Sequence, residues 1–194
     1  MTAASDSPSA ELKPWTVKSS RDVIRDRWVK LRADDCVTAE GVEVAPYYVL
    51  EYPDWVQVVA LDEEDHLILV EQYRHAYGGL SLEVPAGAID PEDSSPVAAA
   101  ARELEEETGY VAERWLSFGK HSPNPATHTN FCHTVLAQGV RLSGTRLNDP
   151  TEQIKVVRVP VRDAARLAAD GTLTNAMQIA SLAIALSAIG KWSL

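Results

Sequence analysis

The run Arg102-Glu103-Leu104-Glu105-Glu106-Glu107-Thr108-Gly109-Tyr110 constrains this chain more than any other segment. It packs four carboxylates and one arginine into about two helical turns. Ser95 followed by Pro96 offers an N-cap and a first helical residue, and Gly109 suits the position just past a helix end. The spacing therefore predicts a helix bracketed at both ends. At about 100° per residue, Glu103, Glu106 and Glu107 share one face at i, i+3 and i+4. Val97, Ala101, Leu104 and Thr108 form a small apolar seam roughly opposite. Like charges at i,i+4 repel by ~0.2–0.5 kcal/mol per pair. A hard divalent cation reverses that sign, because Mg²⁺ binds through a few carboxylates together with substrate phosphates. An acidic helix alone usually faces water, so its neighbours in the sequence carry the decision.

The remaining composition suits a soluble enzyme. The chain has 194 residues, 45% hydrophobic and 24% charged, enough for one sizeable core with a small appended layer. A formal net charge of -10 excludes the counterion-displacing surface that nonspecific nucleic-acid binding needs. It also means that an anionic phosphate substrate is repelled unless metal ions intervene. Cys36 and Cys132 are far apart and lack metal-ligand spacing, which fits reduced thiols in a cytoplasmic protein. The first 14 residues are polar with no apolar signal segment, and read as a disordered tail. The most apolar stretch, 176–189, is too short for a bilayer span and is interrupted by Gln178, Ser181 and Ser187. It reads as a buried C-terminal helix stopped by Gly190, and no membrane partner is expected.

Strands dominate the first third. Residues 28–32 alternate, 46–51 are rich in β-formers, and the turn-like 38–41 lies between them, so 15–52 reads as a small antiparallel sheet. Residues 56–61 and 67–72 read as two strands joined by the acidic turn 62–65. Residues 130–136 and 154–160 are later strands, 163–169 a short helix, and a last helix follows Thr174. A mixed sheet with helices on both faces follows from this pattern.

The segment from Gly87 to Tyr110 resembles the Nudix box, G-x5-E-x7-R-E-U-x-E-E-x-G-U with U apolar. Gly87, Arg102, Glu103, Leu104, Glu106, Glu107, Gly109 and Tyr110 match. From Gly87 to Arg102 the chain is one residue longer than the pattern. Counting back from Arg102 puts Ser94 in the place of the isolated box glutamate, and counting forward from Gly87 puts Asp93 there. Glu92, Asp93 or neither takes that carboxylate's role. The resemblance implies an α/β/α sandwich with a mixed sheet, preceded by the small N-terminal antiparallel sheet, with the Nudix domain proper over 53–194.

The flanks resemble the ADP-ribose pyrophosphatase branch of that family. Asp26 to Leu31 looks like the branch's early strand, Gln72-Tyr73-Arg74 like its Q-[YF]-R motif, and Leu82 to Gly87 like the segment that follows. The resemblance implies Mg²⁺, with Mn²⁺ as a substitute, held by Glu103, Glu107 and Glu106 with the Ala86 carbonyl completing one site. Arg102 orients the glutamates. Trp28 and Tyr47 of the N-terminal region, which also forms a homodimer in that branch, stack on the nucleobase, a contact that gives ~1–3 kcal/mol per base. Arg74 pairs with a substrate phosphate or ribose-phosphate oxygen through its planar fork. Glu83 binds a ribose hydroxyl or a metal-bound water. Glu152, in the acidic segment before the 154–160 strand, is assigned as the base for the attacking water.

Asn124-Pro125-Ala126-Thr127-His128 replaces the P-G-x-x-x-E type loop of many relatives, which leaves the sugar and base open. His121, His128 and His133 do not form a zinc pattern, since His128 and His133 fall on opposite strand faces. Cys132 reads as a buried strand residue. Three functions follow. The first is Mg²⁺-dependent cleavage of ADP-ribose or a related nucleoside diphosphate sugar into a nucleoside monophosphate and a sugar phosphate. The second keeps this chemistry with GDP-mannose, a dinucleoside polyphosphate or coenzyme A. The third is a non-catalytic nucleotide-sensing module, which would have no need of three crowded carboxylates.

Overall fold

A computed structural model describes residues 12–143 and 153–193. The described residues divide into two compact units, one of residues 12–52 with 124–129, the other of 53–123 with 130–143 and 153–193.

The first unit is a three-stranded antiparallel meander of β1 (Thr16–Arg25), β2 (Lys30–Val37) and β3 (Glu43–Leu50), in that order. The β1–β2 turn is closed by Asp26, whose carboxylate accepts from the Trp28 and Val29 amides at 2.7 and 2.8 Å. Trp28 is therefore a turn residue, where the alternation of 28–32 predicts a strand that starts on it. The β2–β3 turn uses Gly41 at φ 84°, a left-handed conformation that costs glycine nothing. Ala33, Asp34, Cys36 and Val49 are buried. Arg32 bridges Asp34 and Glu51 across the sheet. Residues 124–129 join this unit: the Leu50 amide donates to the Thr127 carbonyl and the Thr129 amide to the Leu50 carbonyl, at 2.7 and 3.1 Å.

The second unit follows the strand and helix pattern of its sequence. In chain order it comprises β4 (Trp55–Leu61), β5 (His66–Arg74), β6 (Gly79–Glu83), β7 (Ala86–Ala88), α1 (Pro96–Thr108), β8 (Tyr110–Val111), β9 (Arg114–His121), β10 (Cys132–Gln138), β11 (Arg141–Leu142), β12 (Ile154–Pro160), a 3₁₀ turn (Val161–Asp163), α2 (Ala164–Ala169) and α3 (Ala176–Ala188). The main sheet runs β12-β5-β4-β10-β9, with β6 on β5 and β7 on β4. Only β4 and β10 pair in parallel within it. Its central strands alternate between two cores, as the period of two requires. Val56, Val58, Ala60 and Ile68 pack with Ala99, Ala100 and Leu104 of α1. Val59, Leu61, Leu67 and Leu69 pack with Leu182, Ala185 and Leu186 of α3 and Ala164 and Leu167 of α2. Both faces of the sheet are thus covered by helices, the α/β/α sandwich with a mixed sheet that the sequence predicts.

Two expectations shift. The strand expected over 130–136 starts at Cys132, because Asn130 is buried with its side-chain amide donating to the Pro53 carbonyl at 3.0 Å. The seam of α1 centres on Ala99, Ala100 and Leu104, and Val97 and Ala101 are only half-buried. Strand β9 has no counterpart in the sequence reading. It lies at the sheet's edge, carries Gly119 at φ 82° and buries little, so hydrophobic alternation hardly marks it.

Candidate active site

Helix α1 is capped as its sequence requires. Ser95 Oγ accepts from the Ala98 amide at 3.1 Å, Pro96 is the first helical residue, and Gly109 adopts φ 73° while its amide donates to the Glu105 carbonyl. This fixes the phase of the acidic face. Arg102 commits all five of its N–H donors, two of them to that face. Nη1 donates to Glu103 Oε1 at 2.8 Å and to Glu106 Oε2 at 3.1 Å. Nη2 donates to the Ala88 carbonyl at 3.0 Å and to Asp93 Oδ2 at 2.9 Å, and Nε to Asp93 Oδ1 at 3.3 Å. The Asp93 hydrogen bonds and the neighbouring glutamates raise the guanidinium pKa further above its ordinary value, and Arg102 holds Asp93 below the usual carboxylate range.

Of Glu92 and Asp93, it is Asp93 that pairs with Arg102. Residues 90–93 form a tight turn in which the Asp93 amide donates to the Asp90 carbonyl at 3.0 Å and the Asp90 amide to Asp93 Oδ2 at 2.9 Å. Glu92 sits on the exposed side of the turn.

Gly87 serves the site by lacking a side chain. A Cβ there would fall 2.1 Å from Glu103 Oε1, so the Glu103 carboxylate occupies the space that any other residue would fill. Glu107 is buried, 7% exposed, and its Oε2 accepts from the Ala86 amide at 3.1 Å. The three glutamates do not form a closed cage: no three Asp, Glu, His or Cys side chains converge as a metal site among the described residues. Arg102 draws Glu103 and Glu106 together while Glu107 turns toward Ala86. The donors nevertheless fit a hard cation, since carboxylate oxygens line the Ala86–Gly87 backbone and the Gly87 cradle holds one of them against it.

Ala86, Gly87 and Ala88 also form one side of a cavity of about 390 Å³ whose other lining residues include Arg74, Glu83, Gln57 and Gln178. Arg74 and Glu83 form a bidentate pair, Nε to Oε1 at 2.8 Å and Nη2 to Oε2 at 2.7 Å. The sequence assigned these two residues separate substrate contacts; the structure joins them. Glu83 is 2% exposed. Burial pushes its pKa up, but the Arg74 hydrogen bonds and charge, with Ser81 and Gln178, outweigh this and leave it lowered. Because folding lowers this pKa, the pair's stabilisation is fully present above the ordinary value of 4.5 and is lost as pH falls through the folded value. Arg74→Met is expected to cost ~2 kcal/mol at pH 7, by leaving a buried carboxylate short of its partner. Urea unfolding at pH 7 and in acid checks this: a deficit that fails to shrink in acid would contradict the ion-pair account.

The other predicted residues divide by unit. Trp28 and Tyr47 belong to the first unit. Trp28 is 73% exposed with the Arg27 guanidinium 4.4 Å above its ring. Tyr47 packs edge-on to Trp15 with ring centroids 5.8 Å apart, and its hydroxyl donates to the Ala126 carbonyl. Glu152 lies outside the described residues. Cys132 is buried, which with the nearby Asp54 charge pushes its thiol up to about 12, an inert value. His133 bonds Asp54 at 3.1 Å. Gln57 and Gln178 were not singled out as site residues. The signal for Gln178 was its polar interruption of an apolar helix.

A model of the NUDIX domain matches residues 52–178, and one described as a nucleoside diphosphate sugar hydrolase N-terminal domain matches 15–50. The chain belongs to the Nudix family. Among curated Nudix relatives, an ADP-ribose pyrophosphatase of Mycobacterium tuberculosis is 31% identical over 149 residues, 76% of this chain and 72% of that protein. The ADP compounds hydrolase NudE of Escherichia coli is 30% identical over 177 residues, 90% of this chain and 92% of that one. A crystal structure of an ADP compounds hydrolase superposes with a TM-score of 0.83 at 27% identity, covering 95% of this chain and 100% of that one. The chain is accordingly a Nudix hydrolase. Among the described residues no helix is long and apolar enough to cross a membrane.

Proposed function

We propose that this enzyme hydrolyses the diphosphate bond of ADP-ribose or a related nucleoside diphosphate sugar, giving a nucleoside monophosphate and a sugar phosphate, with Mg²⁺ as cofactor and Mn²⁺ as a substitute. The observation that carries this is the placement of the Glu103 and Glu107 carboxylates on the Ala86–Gly87 backbone, beside a cavity that also presents Arg74. Glu103, Glu106, Glu107 and the Ala86 carbonyl hold the ion. When bound, it neutralises the diphosphate and activates the attacking water. Arg102 is an organiser, since its donors are all committed to the glutamates, Asp93 and Ala88. Arg74, steadied by Glu83, presents a guanidinium to a substrate phosphate. Trp28 and Tyr47 are assigned to the base, and Glu152 to the water's proton. The sugar-nucleotide reading is favoured over the dinucleotide and coenzyme A readings by the match of residues 15–50 to the nucleoside diphosphate sugar hydrolase N-terminal domain and by the names of the full-length relatives. Two buried free thiols suit a reducing cytoplasm.

Product release from ADP-ribose, GDP-mannose, a dinucleoside polyphosphate and coenzyme A, with Mg²⁺ and with chelator, tests the proposal. ADP-ribose is expected to turn over fastest and only with metal. Failure on every substrate would end the hydrolase reading. A homodimer forms part of the same proposal, supported by the edge strand β1, which exposes Val17, Val23 and Ile24 beside exposed Trp15. Sedimentation at micromolar concentration is expected to give twice the 21.2 kDa chain mass; the mass of a single chain would contradict it.

A further inference from the structure

The bend between β6 and β7 is held by three different elements at three successive residues. The Val84 amide donates to Gln178 Oε1 of α3 at 2.8 Å. The Pro85 carbonyl accepts from the Val58 amide of β4 at 2.8 Å. The Ala86 amide donates to Glu107 Oε2 of α1 at 3.1 Å. Gln178 also donates from Nε2 to Glu83 Oε2 at 3.0 Å, the oxygen that receives Arg74 Nη2. Gln178 is 3% exposed, on a helix whose neighbouring buried residues include Leu182, Ala185 and Leu186. Burying an amide in such a core is unfavourable unless both its ends are satisfied. Here the carbonyl end holds the backbone and the amino end holds the carboxylate. Ser181, three residues on and so on the same helix face, makes a parallel link by donating to Gln57 Oε1 at 2.6 Å. Gln57 is the ladder partner of Ala86 and lines the cavity. The C-terminal helix thus grips the cavity wall through polar side chains set in an apolar surface.

We propose that Gln178 is a positioning residue that couples the Arg74–Glu83 pair to the Val84–Gly87 bend, so that the phosphate-binding guanidinium and the metal-holding backbone keep one fixed spacing. Its side-chain hydrogen bonds go to Glu83 and the Val84 amide, and it acts through them. The proposal rests on the hydrolase reading above for its catalytic consequence, and on the hydrogen bonds alone for its structural one.

Two variants separate the two ends of the amide. Gln178→Met keeps the side chain's length and removes both contacts. Gln178→Glu keeps an acceptor for the Val84 amide but sets a carboxylate against Glu83. Loss of a residue that orients ligands typically costs about 10–100-fold in metal affinity or activity. Gln178→Met is expected to lose at least ~10-fold in kcat/KM on ADP-ribose and to bind Mn²⁺ alone more weakly by a similar factor, read by electron paramagnetic resonance of free Mn²⁺. Gln178→Glu is expected to hold Mn²⁺ within about twofold of wild type, since the bend keeps its anchor, while KM for ADP-ribose rises at least ~10-fold because Arg74 is displaced with Glu83. Leu182→Val, on the same helix, serves as the control for a purely structural loss: its melting temperature falls while the kcat/KM of the folded enzyme is unchanged. The proposal is overturned if Gln178→Met, folded by circular dichroism, matches wild type in both Mn²⁺ affinity and kcat/KM, or if Leu182→Val reproduces the full Gln178→Met profile. Should wild type turn over no diphosphate, the hydrolase reading fails, and the Mn²⁺ comparison still decides the role of Gln178.

Discussion

Glu107→Gln is expected to lower kcat on ADP-ribose by on the order of 10³-fold while leaving the protein folded. The substitution is nearly isosteric. The introduced amide oxygen can still accept from the Ala86 amide, so the contact between α1 and the β6–β7 bend survives. What disappears is one negative charge from the set proposed to hold the cation, and a neutral amide is a far poorer ligand for a hard ion than a carboxylate. Because Glu107 is buried, no solvent-borne carboxylate can substitute for it. Steady-state rates across a Mg²⁺ titration, with the melting temperature measured in parallel, make the check. A variant as active as wild type would show that Glu107 is only a structural acceptor for Ala86.

The second large effect belongs to Arg102 and is expected in stability as well as rate. Arg102→Met removes the guanidinium that joins Asp93, Glu103 and Glu106, and with it the hydrogen bond to the Ala88 carbonyl. The carboxylates then repel one another at close range without that guanidinium between them. The expected cost is ~3 kcal/mol, in the range for breaking one side of a partly buried ionic network. For a chain of this size that is a fall of roughly 6–12 °C in melting temperature. Arg102→Lys recovers part of the loss, because an ammonium supplies charge and three donors but not the planar fork that serves Asp93 and the glutamates together. Calorimetry of the two variants orders them. If lysine were as good as arginine, charge alone would explain the site, and the geometric role of the guanidinium would fall.

How much of this was legible beforehand differs by element. The ends of α1 follow from Ser95, Pro96 and Gly109, since capping is local chemistry readable within a few residues. The central strands β4 and β5 are visible from their apolar runs, which bury on both faces. Strand β9 was not, because an exposed edge strand need not carry an apolar pattern. Trp28 was placed on a strand by its alternating neighbours, but Asp26 captures the local amides and makes a turn of it. The extra residue before α1 looked like a fault in the box. In three dimensions Asp93 pairs with Arg102 from the turn of residues 90–93, a contact that spacing alone does not express.

The sequence by itself determined the family, the helix that carries the acidic residues and the phase of their face, because each rests on short-range periodicity and on a motif of contiguous residues. Tertiary structure decided which carboxylate answers Arg102, that Arg74 and Glu83 spend their charges on each other, that Gly87 is glycine to admit the Glu103 carboxylate, and that Gln178 holds the bend 94 residues before it. Those pairings join residues distant along the chain. Their partners are chosen by which side chains the packed sheet and helices bring within hydrogen-bond reach, and by the cost of burying a polar group that finds no partner.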